Sequence, residues 1–485
     1  AVLFPDKQGL ALAGALLFLI LPVHTEVVAN IKSCDELLAL LFTVLCLEQI
    51  GKIDLKGKLS TYIPGLFWLT LALFAKESSI TTVALIPLFL FVRGMPLLET
   101  LKKTIPFVLT GIGFIVLRIS ISSVPEPSVL LTTDPYLLAS AAKKIATILF
   151  VLLEYLRLMI WPVPLIFDYS YNHIPYKSFS DSQVIFSLII HLCMLALGVW
   201  QVMKKRWLGV FILAYLGGIV LLSNLFINVG PILAERFLFS PGFFLLGALI
   251  IGIGNGVPKK ADVVLIALLL VSVIPAWSIT TNRNREWKDN YTLYAADVKK
   301  APDSFRTQAF YAMASAALAE NEKDSTVRAE KFRDCVEHFR NSYSIYTGYK
   351  LMYREWGFSY YNLGQLDSAE WAWAKFRELN PSSPFNAVND RLIADARFRG
   401  YMQEYNQQYT QGNLKTLSRI LESALRYKPQ DPSTLNLLAK VYFLDGKRDS
   451  AITCWERALR SDSTLNEVRQ YLIDYRDKSL QAPSK

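Results

Sequence analysis

Over the first 280 residues the apolar positions come in long blocks separated by short polar interruptions. A helix that crosses a bilayer needs about 20 mostly apolar residues. Nine blocks approach that length, at roughly 9–24, 36–50, 60–75, 79–93, 104–121, 183–202, 207–223, 240–256 and 262–280. A further apolar helix is predicted over 143–161, with Glu154 and Arg157 inside it. It reads as lying in, or dipping into, the membrane interface. From about residue 303 the pattern changes to helical periodicity without long apolar runs. A unit of about 34 residues recurs there, with Gly, Ala and Pro at fixed offsets. Trp356, Gly357, Tyr360, Gly364, Ala369 and Pro381 form one unit, Gly412, Leu417, Ala424 and Pro429 a second, and Ala439, Tyr442, Gly446, Ala451 and Ala458 a third. Gly412 and Gly446 are 34 apart but Gly364 and Gly412 are 48 apart, which predicts an insertion around 384–400. A degenerate earlier unit is expected over 305–345, with the small residues Ala312, Ala314, Ala316 and Ala317.

The expected architecture is therefore all-α. A polytopic helical membrane module spans 1–282, a junction 283–303, a helical-repeat solenoid 304–475 and a polar tail 476–485. Paired helices with small residues at their contacts bury their apolar faces only against neighbouring pairs, so a superhelix results. Its concave face suits an extended peptide, and Trp371 and Trp373 read as repeat core rather than ligand contacts.

Composition sharpens the split. Residues 1–280 hold 35 charged side chains, about 12%, whereas 281–485 hold 57, about 28%. The first part is too apolar for a water-soluble domain, which ordinarily carries about a quarter charged residues. A single soluble enzyme, a disordered chain and a disulfide scaffold are excluded. The net charge of +10 divides evenly, +5 in each part, and no nucleic-acid partner follows from it. The five cysteines form no CxxC pair, so no zinc framework is predicted.

Lysine and arginine favour cytoplasmic loops. Lys52, Lys56 and Lys58 follow the second block, Arg93, Lys102 and Lys103 the fourth, Lys204, Lys205 and Arg206 the sixth, and Lys259 and Lys260 the eighth. All fall on one side if the first block runs outward. The stretch 122–182 and everything after about 281 are then extracytoplasmic. Were the 143–161 helix to span, the later topology would invert. On this reading His24, Glu26, Asp35, Glu36, Lys76, Glu77, Arg118, Glu154, Tyr155, Arg157, Asp168, Tyr169, Glu235 and Arg236 face the outer side. A charge at mid-bilayer costs roughly 2.5–3.5 kcal/mol on insertion scales. Any one of these could be an interfacial residue that reaches water. Acids and bases gathered on one face, against cytoplasmic loops that are mostly Lys and Arg, suggest a polar cleft for an anionic lipid-linked substrate. Arginine forks bind phosphate, and carboxylates orient sugar hydroxyls or accept protons.

Several segments, in order, resemble one family. Segment 17–42, with Pro22, His24 and Glu26, resembles the HP-x-H-x-E core of transmembrane and tetratricopeptide-repeat proteins. "LALFAKESSITTVALIPLFL" at 71–90 resembles their SKE-type turn, and "YLRLMIWPVPLIFDYSY" at 155–171 their P-x-x-L-x-x-D-Y stretch. "LAERFLFSPG" at 233–242 resembles their ER-[FY]-x-Y-x-P motif, and "NREWKDNYTLYAADVKKAPDSFR" at 284–306 their W-x-D-x-x-x-L junction. The family is grouped with the C-superfamily glycosyltransferases and is related to protein O-mannosyltransferases. The resemblance implies transfer of a mannose-like sugar from a polyprenyl- or dolichyl-phosphate donor to a protein Ser or Thr on the extracytoplasmic side. It implies catalytic roles for His24 and Glu26, and substrate-binding roles for Lys76, Glu77, Asp168, Tyr169, Glu235 and Arg236. The polar cleft adds Arg118, Tyr155 and Arg157 as substrate-binding candidates, with Arg118, Arg157 or Arg236 holding the lipid phosphate.

The resemblance also implies eleven spans and an acidic pair in the first outer loop that supplies the base. Neither that loop nor the family's first histidine is present: Leu21-Pro22 stands where the family has His-Pro. An N-terminally incomplete chain, inactive by itself, is the expectation. No cofactor is expected, His24 and Glu26 being too few ligands for more than a possible divalent metal. The partners expected are a polyprenyl-phosphate-linked sugar, a protein or peptide acceptor in the repeat groove, and the bilayer. The location expected is an integral membrane one, the bacterial inner membrane rather than the endoplasmic reticulum. The alternative is a non-catalytic membrane-anchored repeat scaffold that recruits envelope or secretory proteins.

Overall fold

The computed structural model describes residues 8–53, 61–121, 131, 134–256, 262–411 and 413–480. Lys56, Lys58, Lys259, Lys260 and Gly412 of the sequence reading lie outside them. The described secondary structure is helical, with no strand among the described residues. The chain is an all-α membrane module followed by helical repeats. By packing it divides into two units. The first comprises 1–321 and 337–349, the second 322–336 and 350–485.

In the first unit a helix stands at each predicted block: α1 Gln8–Ile20, α3 Cys34–Ile50, α4 Ile63–Ala75, α5 Thr81–Val92, α6 Leu97–Ile121, α8 Ser182–Met203, α9 Trp207–Leu221, α10 Phe239–Gly256 and α11 Asp262–Glu286. Among the described residues three helical segments are long and apolar enough to cross a membrane: Leu97–Ile121, Ser182–Met203 and Glu235–Gly254. A fourth crossing results if Gly9–Ile20 and Pro22–Ala29, bent by 50°, form one broken span. The bend falls at Pro22, where α1 gives way to a short 3-10 turn and then α2, Thr25–Ala29. Proline has no N–H for the helix ladder, which accounts for the break.

The helix predicted over 143–161 is α7, Ala141–Ile160, capped by the Ser140 hydroxyl on the Lys143 N–H. Its buried side chains Val151, Leu152, Tyr155 and Leu158 recur at helical spacing. They pack into a core with Tyr215 and Ile219 of α9 and Leu246 of α10. A strap of irregular chain follows, from Trp161 to Ser180, whose Leu165, Ile166 and Tyr169 enter the same core. Helices α12, Asn290–Lys300, and α13, Phe305–Glu320, complete the unit together with the end of α14, Ser325–Ile345. The degenerate repeat expected over 305–345 is thus divided between the units. Backbone bonds explain the attachment of α13: Phe305 N–H donates to Tyr171 O at 3.1 Å and Asn172 N–H to Asp303 O at 3.0 Å. Ala312 and Ala316 are buried, Ala314 is half-buried and Ala317 is exposed.

The second unit stacks helical pairs: α15 Lys350–Asn362 with α16 Leu366–Leu379, α17 Phe385–Gln408 with α18 Leu414–Tyr427, and α19 Pro432–Leu444 with α20 Arg448–Ser461, followed by α21 Asn466–Leu480. Gly364 and Gly446 close the turns inside two pairs with φ of 72° and 76°, a left-handed conformation that glycine adopts without a Cβ penalty. Gly357 is required for another reason: a Cβ there would lie 2.4 Å from the indole of Trp373. Trp373 is buried and donates its indole N–H to Arg354 O at 3.0 Å. The extra residues around 384–400 are not a loop. They are additional turns of α17, which runs 24 residues where α15 and α19 run 13 each.

Candidate functional site

The polar residues of the first unit resolve into ion pairs. Glu26 sits in the turn after the Pro22 bend and is buried. It accepts from Arg236 twice, from Nη1 at 2.5 Å and from the backbone N–H at 3.0 Å. Lys76 donates to Asp35 at 2.6 Å and pairs with the buried Glu36 at 2.9 Å. Arg236 is close enough to Glu36 for their charges to interact, so these two groups form one polar patch. Glu77 pairs with Arg118. Removing one partner of a buried pair leaves an uncompensated charge, so Glu26 and Arg236 depend on each other.

A second group holds the strap. Glu235 is fully buried. Its Oε1 accepts from Ile166 N–H at 2.7 Å and from the Tyr169 hydroxyl at 2.9 Å. Tyr155 accepts from the Ala234 N–H at 3.2 Å. Asp297 of α12 accepts from Phe167 N–H at 2.7 Å and pairs with Arg283 at 2.6 and 2.9 Å. Glu286 and Lys300 close that network, Glu286 at 2.5 Å from each of Arg283 and Lys300. Asp168 accepts from Ser170 N–H and pairs with Arg306, each at 2.8 Å. Outside the candidate spans, burial holds the His173 imidazole below its ordinary value, partly opposed by the nearby Asp303, Glu154 and Asp168 carboxylates.

The strap walls an apolar cavity of about 890 Å³. Leu17 and Leu21 of the α1 end, Leu156 and Met159 of α7, Trp161 and Val163 of the strap, and residues of α8–α11 line it. Arg157 is not itself a lining residue but braces that wall. Its Nε donates to Glu154 at 2.6 Å and its Nη1 to the carbonyls of Trp161 and Val163, at 3.2 and 2.9 Å. Its side chain is 34% exposed, and the two carbonyls it holds belong to residues that line the chamber. Such an arrangement can hold a long hydrocarbon with an anionic end.

Of the sequence-predicted site residues, the structure joins Glu26 to Arg236, Tyr169 to Glu235 and Glu77 to Arg118. His24 takes a different partner from Glu26: its Nδ1 bonds the Phe18 carbonyl at 2.8 Å, and its ring packs on Phe18 and Phe239. Its Nε2 is buried without a hydrogen-bond partner. Asp168 is drawn to Arg306 rather than to the Glu26–Arg236 pair. Among the described residues no three His, Cys, Asp or Glu side chains gather as a metal set. Sequence reasoning missed Arg283, Asp297 and Lys300. The only available signal was the density of charge in the junction, where Arg283, Arg285, Glu286, Lys288 and Asp289 lie within seven residues.

In the second unit, Glu370, Trp373, Arg377, Asp390, Ile393 and Tyr427 line a recess of about 260 Å³ between repeat helices. Both charge signs and aromatic faces are present, and Arg377 pairs there with Asp390.

No family model matches the chain. It is 27% identical over 309 residues to a protein O-mannosyl-transferase of Caenorhabditis elegans, covering 61% of this chain and 42% of that protein. It is 26% identical to protein O-mannosyl-transferase TMTC3 of Mus musculus, over 61% of this chain and 36% of the relative. It is also 26% identical to protein O-mannosyl-transferase TMTC4 of Homo sapiens, over 60% and 45%. The chain thus matches about two fifths of the length of these relatives. All three come from animals, and a bacterial location gains no support from them. The similarity extends over some three fifths of the chain, and the relatives it reaches carry the names expected of the family that the ordered motifs resemble.

Proposed function

We propose that the protein is a membrane glycosyltransferase that moves a mannose-like sugar from a polyprenyl- or dolichyl-phosphate donor to a Ser or Thr hydroxyl of a protein, on the extracytoplasmic side. The observation that carries this reading is the apolar chamber, with Arg157 bonded to the strap residues that wall it. The chamber takes the hydrocarbon of the carrier and Arg157 meets the phosphate. The relatives' names supply the reaction class. The acceptor hydroxyl attacks the anomeric carbon, the bond from that carbon to the phosphate oxygen breaks, and the lipid phosphate leaves. The hydroxyl proton passes to a carboxylate base. Glu26, held by Arg236 and near His24 in sequence, lines the sugar or acceptor site. Lys76, Glu77, Arg118, Tyr155, Asp168, Tyr169 and Glu235 shape or support that site. The nine apolar blocks span the bilayer, and the repeat groove holds an extended stretch of the acceptor.

The test is transfer of labelled sugar from a polyprenyl-phosphate donor to a Ser/Thr peptide by membranes carrying the full-length protein. Arg157→Ala lowers transfer by about tenfold or more, the worth of one charge-assisted contact. Unchanged transfer in Arg157→Ala and in Glu26→Ala together would refute the site. A second reading, the membrane-anchored repeat scaffold, has one observation in its favour: Arg118, Arg157 and Arg236 each already hold a carboxylate. Absence of any transfer, with acceptor proteins still captured by the repeats, would favour it.

A further inference from the structure

Between Arg206 and Glu235 lie 28 residues without a single Asp, Glu, Lys or Arg. Helix α9 occupies the first part and buries Ile212, Tyr215 and Ile219 in the core. The chain beyond it is not helical, yet it stays uncharged, and at its tip Leu225, Phe226 and Ile227 are 41%, 74% and 57% exposed. A water-facing turn ordinarily carries charge or small polar residues. Here Ser223 and Asn224 are buried, and Asn228 alone stays exposed beside the tip. Asn224, itself buried, donates to Pro231 O at 2.8 Å and accepts from Val229 N–H at 2.8 Å. Ser223 donates to Val220 O, and Asn228 accepts from Gly230 N–H. Both feet of the loop are fixed, since Leu222, Ile232, Leu233 and Ala234 are core residues.

We propose that the 225–227 fingertip is seated in the bilayer, with the Phe226 ring among the upper acyl chains. The loop's position, its backbone bonding and its lack of charge together select lipid over water or a protein partner. Helix α9 has 15 residues, a rise of about 22 Å, against a hydrocarbon core of about 30 Å. The uncharged loop continues the apolar stretch across the difference. Irregular backbone is tolerated near hydrocarbon only when its N–H and C=O groups are satisfied within the protein, and the Asn224 clamp does that at the neck of this loop. A docking surface for a soluble protein would carry a polar rim, which the uncharged stretch lacks. The inference does not depend on the glycosyl-transfer reading.

The experiment uses the full chain with its exposed cysteines removed (Cys34→Ala, Cys193→Ala). It carries an environment-sensitive NBD label at Phe226→Cys, or, as a water-facing control, at Lys288→Cys, and is reconstituted in phosphatidylcholine vesicles. The expected result is blue-shifted emission at position 226 that falls about twofold or more when the lipids carry a nitroxide high on the acyl chain. The label at 288 is quenched by aqueous iodide instead. Iodide quenching at 226 equal to that at 288 would overturn the proposal. So would blue-shifted emission at 226 indifferent to the nitroxide lipids, which would mean a protein contact. Should Phe226→Cys fail to fold, Leu225→Cys reads the same question.

Discussion

The two units are built from the same element and held by different forces. In the first, the charge that holds the strap is buried: Asp297 and Arg283 are 0% and 3% exposed and meet at 2.6 and 2.9 Å. In the second, ion pairs decorate the surface: Arg397 meets Asp367, whose side chain is 92% exposed. The repeats are held instead by apolar packing, Leu417, Leu421, Leu435 and Leu438 sharing one core and Trp373 filling the space that Gly357 leaves. Desolvated charge is unforgiving of a lost partner, whereas a solvated pair is worth little. The first unit has therefore fixed its irregular strap with the interactions that are costliest to break, as expected where a chamber wall must keep its shape. The second has used interchangeable contacts suited to a repeating array.

That contrast can be broken in several ways. The largest effect is expected from Asp297→Ala, which leaves Arg283 with Glu286 alone and frees Phe167 N–H. A loss of about 3–5 kcal/mol should appear as a lower melting midpoint and as protease cleavage in the strap. A change confined to the repeats would break the comparison. Next comes Gly357→Ala, whose Cβ must displace the Trp373 indole, with an expected loss of about 1–3 kcal/mol in the second unit's unfolding transition and no cleavage of the strap.

A smaller effect concerns pH. The folded His173 takes up its proton below the ordinary value of 6.5. Between those two values the unfolded chain binds more protons, so stability is present above about pH 6.5 and falls as the pH drops through that window. His173→Gln should flatten this part of the profile of melting midpoint against pH. The smallest effect is expected from Asp367→Ala, since Arg397 keeps Glu370 at 3.5 Å. Its melting midpoint should match the parent's, and a large drop would show that exposed pairs do hold the array.

The sequence announces elements better than partnerships. Apolar blocks located helices from α1 to α11, and the Gly364 and Gly446 turns stand where the repeat period placed them, because periodicity is a local property. It located the surplus residues of α17 but not their form: a length excess signals an insertion and does not say whether it is loop or helix, and α17 holds one glycine, Gly400, and no proline. It did not foresee that α13 would pack with the first unit, since the Tyr171–Phe305 and Asp168–Arg306 contacts join segments far apart in the chain. Among site residues, Glu26 and Arg236 were legible as motif members, yet their pairing across 210 residues was not. His24 reads as a reactive histidine in its motif. The fold gives it aromatic neighbours and a carbonyl.

Photo-crosslinking tests the central claim most directly. A polyprenyl phosphate with a photoreactive group in its hydrocarbon is added to the full chain in bilayers, and the adducts are mapped by mass spectrometry. The account predicts adducts on the chamber lining, Leu156, Met159, Leu245 or Leu249 among them, and their loss when Arg157 is replaced by alanine. Adducts spread over the lipid-facing surfaces of α6 and α8, unchanged by Arg157→Ala, would contradict it.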